Sequence, residues 1–473
     1  MFFQAGGAAM LTYPMEERGS LPLYEYLCRC IRSDILSGTL SAGARLPSKR
    51  ALAEHLHVSV ITVESAYSQL EAEGYLQALP KRGFFVAAVE QTPPAVRETA
   101  PLPAPELPLW RLDLSRNQVD TARFPVSTWV KLTRQVLSEE PEALLSPVPH
   151  QGLPALRQAI AADLRDFRGM AVSPEQIVIG AGAEYLYLLL AQLLGRDTVF
   201  AVEDPGYPKI RQVYGALGAA CVPVPLDSQG VDPDILTASG AGALHISPNH
   251  QYPTGLVTPI ARRQTLLRWA EDAEGTIIED DYDSEFRFTG RPIPTLQSID
   301  LRGRVVYLNT FSQTISPSMR LGFLVLPPRL LERYRRELGF YACTVPALEQ
   351  HVLARFISGG HYERHLSRMR KEYRNRRAEV VEAFRSSALA PRVTFSEERA
   401  GLHFLLRLDT GRSDAELYQL AARLGVRLGF LSEYAAVPKP EFAHTLVINY
   451  AGLSPQRLPE AIRLLSEVLL PLL

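Results

Sequence analysis

Apolar residues recur at helical spacing at Leu23, Leu27, Ile31 and Ile35, which predicts a helix over Leu23–Leu36. Gly38 and Gly43 then interrupt the chain. Pro47 opens a second short helix with Leu52, Ala53 and Leu56 inward, and a tight turn follows at His57-Val58. Ser59 is placed to cap a third helix, in which Val63, Ala66, Tyr67 and Leu70 fall on one buried stripe. Gly74 stops that helix, and residues 75–86 alternate enough to form a hairpin with Lys81-Arg82-Gly83 at its tip. Three helices and a hairpin make a winged helix-turn-helix over 20–87. The N-terminal end of the third helix, with Ser59 and Thr62, would enter a major groove. Lys49, Arg50, Lys81 and Arg82 surround that end and can neutralise phosphates, while Gly83 lets the backbone approach closely. The pattern leaves a small protein-interaction module open as the alternative.

From 111 to 473 the period changes. Runs at 176–179, 198–201, 243–246, 276–278 and 305–308 read as buried strands, and 154–167, 185–194 and 260–273 as amphipathic helices. This alternation indicates an α/β domain with a mainly parallel sheet. The arginine-rich stretch 364–377 carries Leu366, Met369 and Tyr373 among its charges, so it reads as a long helix with a solvated face. Between the two regions, 88–110 contains Pro93, Pro94, Pro101, Pro103, Pro105 and Pro108 and reads as a semi-rigid linker.

Composition narrows the classes. Of 473 residues, 46% are hydrophobic and 21% charged, which excludes a mainly disordered or coiled-coil chain. Lys+Arg 50 against Asp+Glu 51 excludes a uniformly basic nucleic-acid coat but not a local basic face. Cys28, Cys30, Cys221 and Cys343 show neither a C-x-x-C nor zinc spacing, so neither a disulfide framework nor a metal is expected and a cytoplasmic setting fits. The N-terminus lacks a basic start before its apolar patch, and no apolar stretch is long enough to span a bilayer.

In open α/β sheets, sites form beyond the carboxyl ends of the strands. After the first strand comes Gly180-Ala181-Gly182-Ala183, directly before a helix, where backbone N–H groups can face an anion. A plain tight turn would look the same. The later strands end in Glu203-Asp204-Pro205-Gly206-Tyr207, in Ser247-Pro248-Asn249-His250-Gln251-Tyr252-Pro253-Thr254-Gly255 and in Glu279-Asp280-Asp281-Tyr282-Asp283. The last group could hold a divalent cation, although a buried strand end more often presents one acid inward. Ser312-Gln313 and then Arg320 follow the fifth strand.

The run from Leu46 to Val86 resembles the GntR-family winged helix. That resemblance implies DNA contacts at Ser48, Arg50, Ser59, Thr62, Arg82 and Gly83, with Val60 standing where arginine is frequent. Residues 111–473 resemble a fold-type-I aminotransferase domain, with a small C-terminal α+β subdomain, which binds pyridoxal phosphate. The fusion is similar to the MocR/GabR family of transcriptional regulators. The resemblance implies a phosphate cup of Ala181, Gly182, Ala183, Ser312 and Arg320, with Tyr207 stacked on the pyridine ring. It also implies Asp280 on the ring nitrogen and Tyr282 on the ring hydroxyl, supported by Asn249. The family's Schiff-base lysine position is occupied by Gln313, so the resemblance implies no covalent attachment and no lysine proton shuttle; Lys209 belongs to another loop. Val447-Ile448-Asn449-Tyr450 stands where a carboxylate-clamping arginine is common, leaving His403 or Arg407 as substitutes. The implied function is a cytoplasmic regulator that binds operator DNA as a head-to-tail homodimer and senses pyridoxal phosphate or a related small-molecule effector. The alternatives are a working aminotransferase with a DNA-binding appendage and a ligand-blind scaffold.

Overall fold

The computed structural model describes residues 4–5, 8–89, 110–115, 119–288, 293–396 and 401–472. The chain divides into two compact units, Met1–Leu107 and Pro108–Leu473. Almost all of the proline-rich segment 88–110 lies outside the described residues. Among those described, no helix is long and apolar enough to cross a membrane.

The first unit contains α1 (Leu23–Leu36), α2 (Lys49–His55) and α3 (Val60–Ala72), then β1 (Leu76–Leu79) and β2 (Gly83–Val86). Ser48 and Ser59 cap α2 and α3: each hydroxyl accepts a backbone N–H of the first turn, from Ala51 and Thr62. Pro47 therefore precedes the cap of α2 rather than opening the helix itself. The stripe Val63, Ala66, Tyr67 and Leu70 is fully buried against Leu27, Ile31 and Leu52. Tyr67 can be buried because its hydroxyl donates to the Pro47 carbonyl at 3.0 Å. The two strands pair antiparallel, Leu76 opposite Val86, and Lys81 at the tip takes a left-handed φ of 63°.

In the second unit, β3 (Ile177–Gly180) leads into α4 (Ala183–Leu194), and β4 (Phe200–Asp204) into α5 (Pro208–Ala216). There follow β5 (Cys221–Asp227), β6 (Ala243–Ile246), α6 (Ile260–Asp272), β7 (Thr276–Asp280), β8 (Val305–Thr310) and β9 (Gly322–Val325). The sheet order is β3-β9-β8-β7-β6-β4-β5, with Gly230–Val231 added at the edge. The block from β8 to β5 is parallel, and β9 runs antiparallel to both of its neighbours. The central strands are buried on both faces, as the continuous apolar runs require. The long helix α7 (His361–Arg385) buries Leu366, Met369 and Tyr373 and exposes Arg364, Arg368 and Arg374, but Arg376 departs from the expected solvated face: it is buried and ion-paired with Asp120. It packs with α8 (Leu458–Leu469) on a three-stranded antiparallel sheet of β10 (Val393–Ser396), β11 (His403–Leu408) and β12 (Thr445–Asn449). This is the small C-terminal α+β subdomain.

Leu70 anchors the first unit, so Leu70→Ala is expected to destabilise it by about 2–5 kcal/mol. Calorimetry of the full chain checks this through the transition assigned to the smaller unit.

Candidate functional site

A cavity of about 290 Å³ opens beyond the carboxyl ends of the parallel strands. Ala183, Tyr207, Asp280, Tyr282, Ser312, Gln313 and Arg320 all line it. The chain thus brings together seven of the ten residues expected to hold a cofactor. Gly182 and Ala181 lie beside Arg320 at its edge. Gly182 caps α4 at φ 85°, a conformation that favours glycine, and a Cβ there would come within 2.9 Å of the Arg320 guanidinium and push it aside. Arg320 itself adopts a left-handed φ of 47° and donates to the Ala181 carbonyl at 3.3 Å.

Asn249 stands elsewhere. Its amide donates to Asp281 at 2.8 Å, and its oxygen accepts from Arg263 at 2.9 Å. Buried charges take both ends of the side chain, so it does not line the cavity. Tyr252, further along the same loop, does, and packs edge-on against Tyr207 at 5.9 Å. No periodicity marks Tyr252 over its neighbours; its place just before Pro253 is the one signal in the sequence.

The acids at the end of β7 and just after it diverge. Glu279 accepts from the Leu296 and Gln297 N–H groups, and burial pushes its pKa up to about 7. Asp281 accepts from Arg168, Asn249, Tyr307 and Ser284. Asp283 faces His250 Nδ1 at 2.9 Å. Asp280 alone reaches the cavity, where Tyr187 Oη donates to it at 2.5 Å. His245 Nε2 lies 3.4 Å from the same oxygen, and His245 Nδ1 lies 2.9 Å from the Tyr214 hydroxyl. Since the carboxylate accepts, the proton belongs on Nε2 and Tyr214 donates to Nδ1. The four acids thus face separate partner sets, and Asp283 lies with His250 and His403, their ligand atoms within 4.8 Å of one another.

Lys209, expected in a separate loop, lies in the first turn of α5 and also lines the cavity. Its ammonium lies 2.7 Å from Glu184, which is ion-paired with Arg320 as well. One carboxylate therefore holds two cations. Gln313 supplies no amine, and its Oε1 is buried without a hydrogen-bond partner. Neither substitute for the carboxylate clamp lines the cavity. His403 donates from Nε2 to the Pro253 carbonyl, and burial brings its pKa down to about 3, so it is neutral. Arg407 is exposed on β11. Val447 and Asn449 are buried in β12.

In the first unit, the Ser59 and Thr62 hydroxyls lie 2.8 Å apart, engaged in the cap. Lys49 is tied to Glu64 at 2.6 Å and lies over the Phe84 ring. Arg50, Lys81 and Arg82 are exposed. A cleft of about 250 Å³ gathers Ser48, Lys49, Gly83 and Arg45, the last of which sequence spacing does not single out.

Residues 23–86 match the family model for bacterial regulatory proteins of the gntR family, and 111–465 match aminotransferase class I and II. The uncharacterized HTH-type transcriptional regulator YhdI of Bacillus subtilis (strain 168) is 37% identical over 467 residues, covering 98% of this chain and 99% of its own. The probable rhizopine catabolism regulatory protein MocR of Rhizobium meliloti is 32% identical, covering 97% of this chain and 96% of its own. The chain belongs to the MocR/GabR-type transcriptional regulators. In this regulator the gntR-type unit binds DNA, and the larger unit has the fold of pyridoxal-phosphate-dependent aminotransferases. The solved α-aminoadipate aminotransferase LysN of Thermus thermophilus, complexed with N-(5'-phosphopyridoxyl)-L-leucine, shares that fold. It superposes with a TM-score of 0.66 at 24% identity, covering 76% of this chain and 92% of its own.

Glu203 lines the same cavity, and burial pushes its pKa up to about 8. An acid whose folded pKa exceeds its unfolded value stabilises at low pH, and that contribution is lost as pH rises from about 4.5 to about 8. The thermal midpoint is therefore expected to fall across this window, and that of Glu203→Gln to fall less. A pH series of thermal melts on both proteins checks this; identical slopes would mean that Glu203 is not the group responsible.

Proposed function

We propose that the regulator binds pyridoxal phosphate, or a close phosphorylated relative, non-covalently as its effector, and binds operator DNA as a cytoplasmic head-to-tail homodimer. The observation that carries the ligand reading is one cavity with a cationic rim and an anchored acid at its base. Arg320 and Lys209 sit at the rim, and buried Asp280 receives the Tyr187 hydroxyl. The fit is supported by Gly182, whose left-handed φ and missing Cβ leave the Arg320 guanidinium undisturbed beside the backbone, and by the unpartnered Gln313 Oε1. Ala181, Gly182, Ala183, Ser312 and Arg320 would hold the phosphate, as a guanidinium does well. Tyr207 would cover one ring face, Asp280 would pair with the ring nitrogen, and Tyr282 would bond the ring hydroxyl. When bound, the group supplies an electron-poor ring and an aldehyde. The chain's own residues bind and orient it; Gln313 neither condenses with an aldehyde nor moves a proton.

The dimer reading is supported by the helix Val126–Glu139, which leaves Val126, Val130 and Leu137 exposed, and by Phe340, 76% exposed.

Pyridoxal phosphate titrated into the protein should give a saturable absorbance change, and borohydride followed by mass spectrometry should find no adduct. Gln313→Lys should gain a reducible adduct at position 313. An adduct on Lys209 of the unaltered protein would overturn the non-covalent reading, and no binding by either protein would favour the scaffold alternative. For DNA, affinity for a selected operator should fall steeply with salt. Arg50→Ala and Arg82→Ala should each weaken binding across sequences and lower the slope of log affinity on log salt by about 1 per subunit, about 2 for the dimer, measured by anisotropy. Unchanged slopes would exclude both residues from the phosphate contacts.

A further inference from the structure

The recognition helix α3 begins with its polar groups already engaged. Ser59 Oγ accepts the Thr62 N–H at 3.1 Å, and the two hydroxyls lie 2.8 Å from each other. The side chains projecting from this first turn are apolar: Val60 is 43% exposed and Ile61 72%. The core stripe of Val63, Ala66, Tyr67 and Leu70 fixes the rotation of the helix. At about 100° per residue, Ile61 points almost directly away from that stripe. An isoleucine exposed at the tip of a helix has a solvation cost that nothing within the unit offsets. The same unit suits a polyanion: Arg45, Arg50, Lys81 and Arg82 are exposed on it. Glu64, the acid on the same face, is neutralised by Lys49 at 2.6 Å. The major groove offers one apolar group, the C5-methyl of thymine.

We propose that Ile61 reads thymine methyl groups, beside Val60 at the position where a hydrogen-bonding arginine is frequent, so that sequence selection rests on apolar contact. The inference rests on DNA binding by this unit.

The test uses the full chain and an operator recovered from random duplex DNA. Each thymine is replaced in turn by deoxyuridine, which lacks only the methyl group. At one or two positions in each half-site, affinity should fall about fourfold, the effect of burying one methyl. Ile61→Ala should bind thymine and uracil operators equally. As Ile61 is exposed, the variant should melt with the wild type. Arg82→Ala should weaken both operators while keeping their ratio. A thymine-to-uracil ratio of one throughout, or a ratio unchanged in Ile61→Ala, would overturn the proposal while leaving DNA binding intact. Failure to recover any DNA would overturn the DNA-binding reading and this inference with it.

Discussion

The ion pair between Arg168 and Asp281 holds the floor of the cavity in place. The two side chains, 3% and 1% exposed, meet at 2.6 Å. Arg168 arrives from the turn Leu164–Arg168 that closes the helix Pro154–Asp163. Asp281 follows β7 and also receives Asn249 from the loop after β6 and Tyr307 from β8. One carboxylate thus binds a helix end to three adjoining parts of the sheet. Breaking such a buried pair typically costs about 3–5 kcal/mol, because the remaining charge has no water to turn to. With Asp281 fixed in this way, its neighbour Asp280 is free to face the cavity and meet Tyr187. The carboxylate that serves the cavity depends on one that never touches it.

Much of this is legible in residue order, and the exceptions have physical reasons. The Ser59 cap and the stripe from Val63 to Leu70 depend only on local geometry, so spacing reveals them. β5 is hidden in the sequence because Pro223 and Pro225 argue against a strand. It is tolerated because it lies near the sheet edge, with only a two-residue strand beyond it. β9 is hidden for another reason: Gly322–Val325 follows a motif whose residues signal chemistry, and its reversed direction is a tertiary fact.

The site divides similarly. Residues at strand ends, such as Tyr207, Asp280 and Ser312, can be placed by topology alone. Lys209 cannot, since its reach into the cavity depends on Glu184, which lies 25 residues before it. Asn249 misleads because an amide in a polar loop looks available until its partners, Asp281 and Arg263, are known. Lys49 similarly looks free to meet phosphate until Glu64 comes beside it. In each case a charge distant in sequence decides the outcome.

Glu184 acts before any ligand arrives. It pairs with Lys209 and Arg320 together, so the rim keeps one uncompensated positive charge rather than two. An incoming anion competes with a carboxylate tethered at high effective concentration. The chain carries its own competitor, and the strength of that competition sets the ligand level at which the rim changes hands. In the proposed effector site, that one side chain raises the anion concentration needed to occupy the rim.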